Sequence, residues 1–413
     1  MSQPALKNPY LLVLFSVPCM RNANNALCIS LAWAKDLIEH TKYIEKLTLI
    51  SYFSDETPLA DAVEIEHNPG LKNVRFVMIP KPSNTLHALR MLPKTISIIW
   101  HEISKAQIVH SAVAGWPIPE AWIICPMLVF KRRFHFINVE SAFWRIPKGQ
   151  TGSIKQKIRA AICERLNKWC VQSADLSTFT QDAYKNTLLG KQQHKGFVIP
   201  ATWIDADNIV KPELLAGLIQ SKSAQINKPI KLVFAGRLVL EKGILLLIQA
   251  VSELLDQGYL LSLDIIGDGA LLRECEQLIQ ANKKQSSIKM LGTVQYGPDF
   301  FSLLHGYDLM VIPSLSDEQP RNVFDAFSQG LPVLCADTAG LMQCVDQKTG
   351  YFFKTGDIES LKNQLIEIMQ NRQALVNLSS ACVDAVSNMT HKKMHEKRLE
   401  ILNQALAKYG ANA

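Results

Sequence analysis

Short apolar runs alternate with amphipathic stretches along the first half of the chain. The apolar runs predict strands at 10–17, 47–52, 74–79, 106–110, 134–137, 176–179 and 196–199. Helical spacing of apolar residues predicts helices at 26–39, 86–104, 119–130, 153–172 and 181–189. Strands that alternate with helices are typical of a parallel, doubly wound sheet, so the first half is predicted to be an α/β domain.

The second half repeats this alternation after a polar stretch at 200–229, which lacks a clear strand and is predicted to be the hinge between two domains. Strands are predicted at 232–235, 261–266, 287–291, 308–312 and 332–336. Helices are predicted at 244–255, from 320 to 330, and at 357–369, 372–387 and 391–408. The chain of 413 residues is long enough for two α/β domains.

Glycines and cations follow two of the predicted strand ends in the second half. Gly236 and Arg237 come directly after one strand, and Lys242 lies just before the next helix. An arginine and a lysine beside a helix start can neutralise a diphosphate without a metal ion. Gly267 and Gly269 follow the next strand and would let the backbone approach a flat ligand closely.

Acidic residues follow a third strand end. The apolar run stops at Pro313, a polar loop with Asp317 and Glu318 comes next, and Pro320 is predicted to open a helix that carries Asp325. Ligands of open α/β sheets bind at the carboxyl ends of strands, so both aspartates are predicted to line one rim of a binding site.

In their order and spacing, these motifs resemble the nucleotide-sugar half of the retaining glycosyltransferases of family four, of the bacterial surface-polysaccharide type. The matching residues are Gly236-Arg237, Lys242-Gly243, Gly267-Asp268-Gly269, Leu291-Gly292, Pro313-Ser314, Asp317, Asp325 and Gly330-Leu331-Pro332-Val333. The resemblance covers 231–354 well and the first half only in outline.

The resemblance implies the GT-B architecture: two doubly wound, Rossmann-like domains that face a cleft, with a last helix that crosses back to the first domain. On this basis we predict an acceptor-binding domain at 1–205, a nucleotide-sugar-binding domain at 206–389 and a return helix at 390–413. It also implies glycosyl transfer with retention from a nucleotide-diphosphate sugar, without a required cofactor or metal, and the sequence shows no His/Asp cluster with metal-ligand spacing.

Site residues are carried over from the resemblance position by position. The predicted donor-binding residues are Gly236, Arg237, Lys242, Gly267, Gly269, Arg321, Asn322 and Asp325, and the predicted catalytic residues are Asp317, Glu318 and His110. Arg237 and Lys242 would hold the diphosphate, with Arg321 adding a cation. Asp325 would bind the ribose hydroxyls, and Asp317 or Glu318 the sugar hydroxyls.

The acidic positions depart from the family pattern, which has two glutamates. Asp317 and Asp325 stand at those positions, and aspartate is one methylene shorter, which changes the reach by about 1.5 Å. Either the loop moves in, or Glu318 takes the sugar contact. The family's glycines after the first acid are replaced here by 319–321.

Candidate site residues in the first half each have a structural interpretation as well. His110 ends a predicted strand and is either a structural hydrogen-bonder or a site residue. The stretch 20–25, which lacks the family's glycines, is interpreted as a turn rather than an acceptor contact. Glu140 would orient an acceptor hydroxyl or pair with Arg145, and Trp144 is either core or a sugar platform.

Charge is uneven along the chain, whose formal net charge is +7. The segment 131–168 holds ten cations and two acids, which is typical either of a solvated helix face or of a surface that meets an anion. We expect an anionic membrane surface or a lipid-linked diphosphate acceptor, and no nucleic acid, because no nucleic-acid motif accompanies the cations.

Cysteine usage and hydropathy predict where the protein acts. The nine cysteines are scattered and form no Cys-x-x-Cys pair, as in proteins of a reducing compartment. No apolar run approaches the roughly 20 residues that span a bilayer. We therefore expect a cytoplasmic protein, peripheral on the inner face of the cytoplasmic membrane.

The resulting hypothesis is a hexosyltransferase that uses a UDP- or GDP-sugar in polysaccharide, lipopolysaccharide or glycolipid synthesis. A non-catalytic GT-B subunit that supports a partner enzyme is one alternative, motivated by the altered acidic positions. A sugar-nucleotide epimerase of the same architecture is another, and it would turn over donor without any acceptor.

Overall fold

The chain folds as two compact units in the computed structural model, which describes residues 6–58, 61–115, 117–146 and 151–411. The first unit comprises Met1–Arg145, Ser153–Ile199 and Met394–Ala413, and the second comprises Ile146–Gly152 and Pro200–Lys393. Within the described ranges, every helix is too short or too polar to cross a bilayer.

A parallel sheet of seven strands, in the order β10-β9-β8-β7-β1-β4-β6, forms the centre of the first unit. The strands of this unit are β1 (Tyr10–Val13), β2 (Met20–Arg21), β3 (Leu27–Ile29), β4 (Leu47–Phe53), β5 (Val63–Glu64), β6 (Val74–Pro80), β7 (Ile108–Ala112), β8 (Phe134–Val139), β9 (Leu176–Phe179) and β10 (Gly196–Val198). Strands β2, β3 and β5 form a separate small antiparallel sheet.

Helices cover both faces of this sheet. They are α1 (Leu31–Thr41), α2 (Thr85–Lys105), α3 (Glu120–Phe130), α4 (Ile154–Ser173) and α5 (Asp182–Leu189). Side chains alternate between the two faces of a strand, so Leu11 of β1 packs with Ile99 and Ile124 of α2 and α3. Its neighbour Leu12 packs on the opposite face with Leu37 of α1.

The first turns of the chain differ from the prediction. The strand predicted at 10–17 ends at Val13, and the helix predicted at 26–39 begins only at Leu31. The intervening Leu27–Ile29 pairs with β2 and β5 instead. Because Met20 and Arg21 form β2, the turn predicted at 20–25 is confined to 22–25, where Asn22 accepts hydrogen bonds from the backbone nitrogens of Asn24 and Ala26, both at 3.0 Å.

The second unit is built on a parallel sheet of six strands in the order β13-β12-β11-β14-β15-β16. Its strands are β11 (Ile230–Ala235), β12 (Leu261–Ile266), β13 (Ile288–Gly292), β14 (Leu309–Ile312), β15 (Val333–Ala336) and β16 (Gly350–Phe353). Its helices are α6 (Pro212–Ser223), α7 (Ile244–Asp256), α8 (Leu272–Ala281), α9 (Pro298–Leu304), α10 (Asn322–Ser328), α11 (Ala339–Cys344), α12 (Ile358–Gln370), α13 (Arg372–Asn377) and α14 (Ser379–Val386).

The last helix, α15 (His391–Ala411), contributes from Met394 onward to the first unit. Leu399, Ile401 and Leu402 are buried in the core beneath α1. The return of the final helix to the first domain, which the GT-B resemblance implied, is therefore present in the fold.

Candidate active site

The turns after β11, β12 and β13 are bonded to one another. The backbone nitrogen of Gly236 donates to Ile266 at 2.9 Å, and that of Gly267 donates to Gly292 at 2.8 Å. Gly267 has φ +138, and a Cβ there would lie 1.9 Å from the carbonyl oxygen of Gly236. Only glycine allows two backbones to come this close, so the sequence motif Gly267-Asp268-Gly269 serves this approach.

The loops after β11 and β14 also touch. Gly243 begins α7 with φ +69, and a Cβ there would lie 1.9 Å from the carbonyl oxygen of Pro313. The backbone nitrogen of Leu315 donates to the carbonyl oxygen of Glu241 at 2.8 Å. The predicted diphosphate turn and the predicted acidic loop are therefore neighbours.

Lys242 and Glu318 form an ion pair across this junction. The Nζ–Oε2 distance is 3.2 Å, and the two side chains are 17% and 24% exposed. Two side chains predicted for the site thus meet, from loops that are 76 residues apart in the chain. Because the pair is partly shielded from water, its attraction is stronger than that of a surface pair.

Asn322 ties α10 to the end of β11. Its Nδ2 donates to the carbonyl oxygen of Ala235 at 2.7 Å, while its Oδ1 is buried with no hydrogen-bond partner among the described residues. The helix predicted to open at Pro320 begins two residues later, at Asn322, so Arg321 is its N-cap.

Arg321 lies over an aromatic ring. Its guanidinium carbon is 5.2 Å from the ring centroid of Trp203, which in turn stacks on His391 with centroids 5.1 Å apart. A cation over an indole face is attracted to the ring. The structure thus gives Arg321 an aromatic contact, and its role as an additional phosphate cation stays a prediction.

Asp325 is buried in the first turn of α10. It is 7% exposed, and its Oδ1 accepts a hydrogen bond from the hydroxyl of Tyr296 at 2.9 Å. Burial, and then the negative charge of Asp325, raise the pKa of Tyr296, so this phenol remains a donor. Sequence reasoning missed Tyr296, although its place four residues after the carboxyl end of β13 follows the same strand-end rule.

Asp317 contacts another element. Its Oδ1 accepts a hydrogen bond from the backbone nitrogen of Ala339 at 3.4 Å, at the start of α11. A Cβ on Gly340 would lie 2.7 Å from the carbonyl oxygens of Asp317 and Glu318, so the acidic loop rests directly on α11. The side chain of Asp317 therefore caps a helix, which is a structural use of the acid.

Arg237 is exposed in the turn after β11. Its guanidinium makes no hydrogen bond or ion pair with the described part of the chain, whereas its carbonyl oxygen accepts from Val239 at 3.0 Å. The turn is thus held by its backbone, and the cation is available for a ligand.

His110 lies in the first unit, in the middle of β7 rather than at its end, because the strand continues to Ala112. The hydroxyl of Tyr10 is 2.9 Å from its Nδ1, and the ring stacks on Phe136 with centroids 4.1 Å apart. Burial holds the pKa of His110 well below its usual value, so the imidazole is neutral. A catalytic role for it stays a prediction.

Two further candidates in the first unit have structural partners. Trp144 is buried, and its Nε1 donates to Glu164 at 2.8 Å, which agrees with a core position. Arg145 also pairs with Glu164 at 2.8 Å, so the suggested pairing of Arg145 with Glu140 is wrong. Glu140 instead accepts a hydrogen bond from Asn138 at 3.1 Å.

Most of the second unit matches a known family of proteins. Residues 218–384, which hold all the strand-end turns described for the second unit, match the family described as glycosyl transferases group 1. This part of the chain resembles that family. The prediction of a glycosyltransferase resemblance, made from the strand-end motifs, is confirmed.

Curated proteins similar to this chain include Protein CapJ of Staphylococcus aureus. It is 25% identical over 226 residues, which are 54% of this chain and 53% of CapJ. Sulfoquinovosyl transferase SQD2 of Arabidopsis thaliana is 27% identical over 159 residues, 38% of this chain and 29% of SQD2. The chain thus spans about half the length of CapJ and less than a third of SQD2.

Solved structures with a similar fold cover nearly the whole chain. Sucrose-phosphate synthase of Thermosynechococcus elongatus superposes with a TM-score of 0.70 at 17% identity, over 97% of this chain and 100% of that chain. HepE of Anabaena, in complex with UDP and glucose, gives 0.65 at 15% identity, over 96% and 99%. The predicted GT-B fold with two Rossmann-like domains is therefore confirmed.

Proposed function

We propose that this protein transfers a sugar, with retention, from a nucleotide-diphosphate sugar to a lipid-linked glycan in surface-polysaccharide or glycolipid synthesis. The observation that carries the proposal is the Lys242–Glu318 ion pair at the junction of two strand-end loops. Lys242 is partly buried, and the exposed Arg237 lies five residues before it in the chain. Both fall in the matched residues 218–384, and two such cations are suited to hold a diphosphate.

The diphosphate would lie between Arg237 and Lys242. Negative charge grows on the leaving phosphate as the glycosidic bond breaks, and cations fixed before the reaction stabilise that charge. Lys242 would exchange its contact with Glu318 for a contact with a phosphate oxygen, in a setting where both side chains are partly shielded from water. Asn322 and the glycines Gly236, Gly267 and Gly269 would shape the donor side through the backbone turns that they hold together.

The acidic residues would contact the ribose and the sugar of the donor. Asp325, fixed by Tyr296, would accept hydrogen bonds from the ribose hydroxyls. Glu318 would contact the sugar hydroxyls, since Asp317 already accepts from the first turn of α11. Of the two alternatives for the shortened acidic position, the contact of Asp317 with α11 supports Glu318.

Two comparisons support the choice of substrates. HepE, which has a similar fold, was solved with UDP and glucose, so a UDP-sugar is the first donor to test. A relative from Escherichia coli, 26% identical over 125 residues, is named for transfer from UDP-Gal to a GlcNAc-diphosphoundecaprenol. A diphosphate lipid acceptor is accordingly proposed here.

Calorimetry with UDP and with GDP tests the donor site. We expect UDP to bind, and Lys242→Met to weaken binding by roughly 30-fold, because a hydrogen bond to a charged group contributes about 2 kcal/mol. Lys289→Met is the matched control, an exposed lysine on β13 outside the proposed site, and it should bind as the wild type does.

Other outcomes separate the alternatives. Binding of neither nucleotide would favour a non-catalytic subunit, and equal binding by the Lys242 variant would contradict the diphosphate contact. Conversion of the donor sugar in the absence of any acceptor would indicate an epimerase. An inverted anomeric centre in the product, read by NMR, would contradict retention.

A further inference from the structure

Helix α4 carries a row of large apolar side chains on its solvent side. Ile154, Ile158, Ile162, Leu166 and Trp169 are 78%, 56%, 53%, 37% and 43% exposed. Successive members are four or three residues apart, which places them on one side of an α-helix. We call these five residues the α4 apolar row.

The opposite side of α4 is the one that packs on the unit. Asn167, Cys170 and Val171 are buried there, and the Nε1 of Trp122 in α3 donates to Oδ1 of Asn167 at 2.7 Å. The α4 apolar row is therefore not needed for the core of the unit. A contiguous apolar surface of this kind, left in contact with water, indicates an interaction site.

Cations surround the row. Lys155, Lys157, Arg159, Arg165 and Lys168 all lie on α4, against the single acid Glu164. Glu164 is shared between Arg145 at 2.8 Å and Lys168 of α4 at 3.7 Å, so this one acid leaves α4 with a large excess of positive charge. An exposed helix with apolar side chains flanked by lysine and arginine has the composition of helices that lie in a membrane interface.

We propose that α4 docks on an anionic phospholipid bilayer, lying in its plane. The α4 apolar row would enter the boundary between head groups and acyl chains, while the lysines and arginines would contact the lipid phosphates. The helix of 20 residues is about 30 Å long, which gives a long line of contact with the surface. This proposal does not depend on the proposed transferase activity.

A bilayer fits this surface better than a second copy of the chain does. Two copies packed through α4 about a two-fold axis would bring their cations together, and like charges at an interface are unfavourable. An anionic bilayer offers both an apolar interior and phosphates that match the cations.

The cations near residue 131 are held differently. Lys131 hydrogen-bonds Ser104 and lies over the Trp100 ring at 4.1 Å, and Arg133 donates to the carbonyl oxygens of Ile103 and Ser104, both at 3.3 Å. Residues 147–150, also within the basic segment 131–168, lie outside the described residues. The proposal therefore assigns the membrane contact to α4 alone.

Sedimentation with vesicles tests the proposal. We expect the purified protein to bind vesicles of phosphatidylcholine with 30% phosphatidylglycerol, and to bind pure phosphatidylcholine far less. Salt at 0.5 M should reduce binding without abolishing it, because ions screen the phosphate contacts but leave apolar insertion in place.

Variants distinguish insertion from attraction of charges. Ile158→Ser with Ile162→Ser should weaken vesicle binding at least roughly tenfold and remove what survives high salt, since two buried apolar side chains are lost. Leu214→Ser with Leu260→Ser is the matched control, because both leucines are exposed in the second unit, at 49% and 66%. Lys155→Gln with Lys157→Gln should reduce the preference for anionic vesicles.

Three results would overturn the proposal. These are no binding by the wild type, equal binding by the isoleucine variant and the control, or a wild-type dimer that the isoleucine variant converts to monomer. Urea denaturation of every variant shows whether the fold is intact. Vesicle binding needs neither donor nor acceptor, so its failure would leave the transferase proposal standing.

Discussion

The ion pair of Lys242 and Glu318 places a carboxylate where the proposed diphosphate must bind. The two charges are 3.2 Å apart and partly shielded. An anionic ligand therefore has to compete with Glu318 for the ammonium, or share it. The pair keeps the lysine in place before the donor arrives, at the cost of some donor affinity.

Replacing Glu318 by glutamine should consequently raise UDP affinity by roughly three- to tenfold, since a competing charge at this depth contributes about 1 kcal/mol. Transfer should fall at the same time, because the proposed sugar contact loses its charge. Calorimetry and a transfer assay measure the two effects separately. Glu241→Gln removes a carboxylate one residue from Lys242 and is the control for a general change of charge near the site. Weaker UDP binding by Glu318→Gln would contradict competition between Glu318 and UDP for Lys242.

Several residues that were predicted for the site lie close to one another or to a strand end in the structure. Lys242, Glu318 and Asn322 were predicted for the site from the family resemblance, and the structure places Lys242 against Glu318 and Asn322 against the end of β11. Which of them would pair with each other could not be predicted, because the pairing depends on how two loops distant in the chain pack. Trp203, beneath Arg321, was missed for the same reason.

At the scale of elements, the start of α7 depends on one glycine. Gly243 at φ +69 would place a Cβ 1.9 Å from the carbonyl oxygen of Pro313, whereas Gly258 at φ +86 has nothing within 4 Å of such a Cβ. Both positions have a left-handed backbone, which costs about 1 kcal/mol for a residue with a side chain. Only Gly243 adds a clash with backbone that cannot move aside as a side chain would.

We therefore expect Gly258→Ala to lower the free energy of unfolding by about 1 kcal/mol and Gly243→Ala to lower it by about 3 kcal/mol or more. Gly243→Ala should also lose UDP affinity, because the loop after β14 must shift away from Lys242. Urea denaturation and calorimetry measure these effects. Equal stability of the two variants would show that the loops separate without cost.

Strong hydrophobic periodicity explains which elements were predicted. Strands β9 and β12 were predicted with the bounds that the structure shows, and each begins and ends with a buried apolar residue. The small sheet of β2, β3 and β5 was missed because two of its strands have only two residues, too short for any periodicity. The helix predicted at 372–387 is two helices, α13 and α14, which meet at Leu378.

At the scale of the molecule, the fold class follows from the alternation of strands and helices, which needs no side-chain detail. The predicted acceptor-binding domain at 1–205, nucleotide-sugar-binding domain at 206–389 and return helix at 390–413 stay predictions. What the alternation could not show is how the last helix is held in the first unit, because its partners lie more than 350 residues earlier in the chain.

A buried polar network makes that attachment. His395 of α15 contacts Oδ1 of Asp36 at 3.0 Å through Nε2 and the hydroxyl of Tyr43 at 3.1 Å through Nδ1. His40, which lies 3.2 Å from Asp36, is 3.3 Å from a guanidinium nitrogen of the buried Arg398. Burial, outweighing the attraction of Asp36, holds the pKa of His395 well below its usual value.

Acid should therefore destabilise the protein through this network. A histidine in the unfolded chain takes up a proton below about pH 6.5, whereas the lowered pKa keeps His395 neutral in the folded state. The unfolded state then binds more protons, so the free energy of unfolding falls as the pH drops below about 6.5. Urea denaturation from pH 8 to pH 5 should show a shallower fall for His395→Gln than for the wild type, and a lower stability at pH 8, because the bond to Asp36 is weakened.

His110, whose pKa burial also lowers, accounts for part of the remaining slope. The exposed His101, changed to glutamine, should leave the slope as it is, and an unchanged slope in the His395 variant would show that this imidazole is not held neutral by the fold.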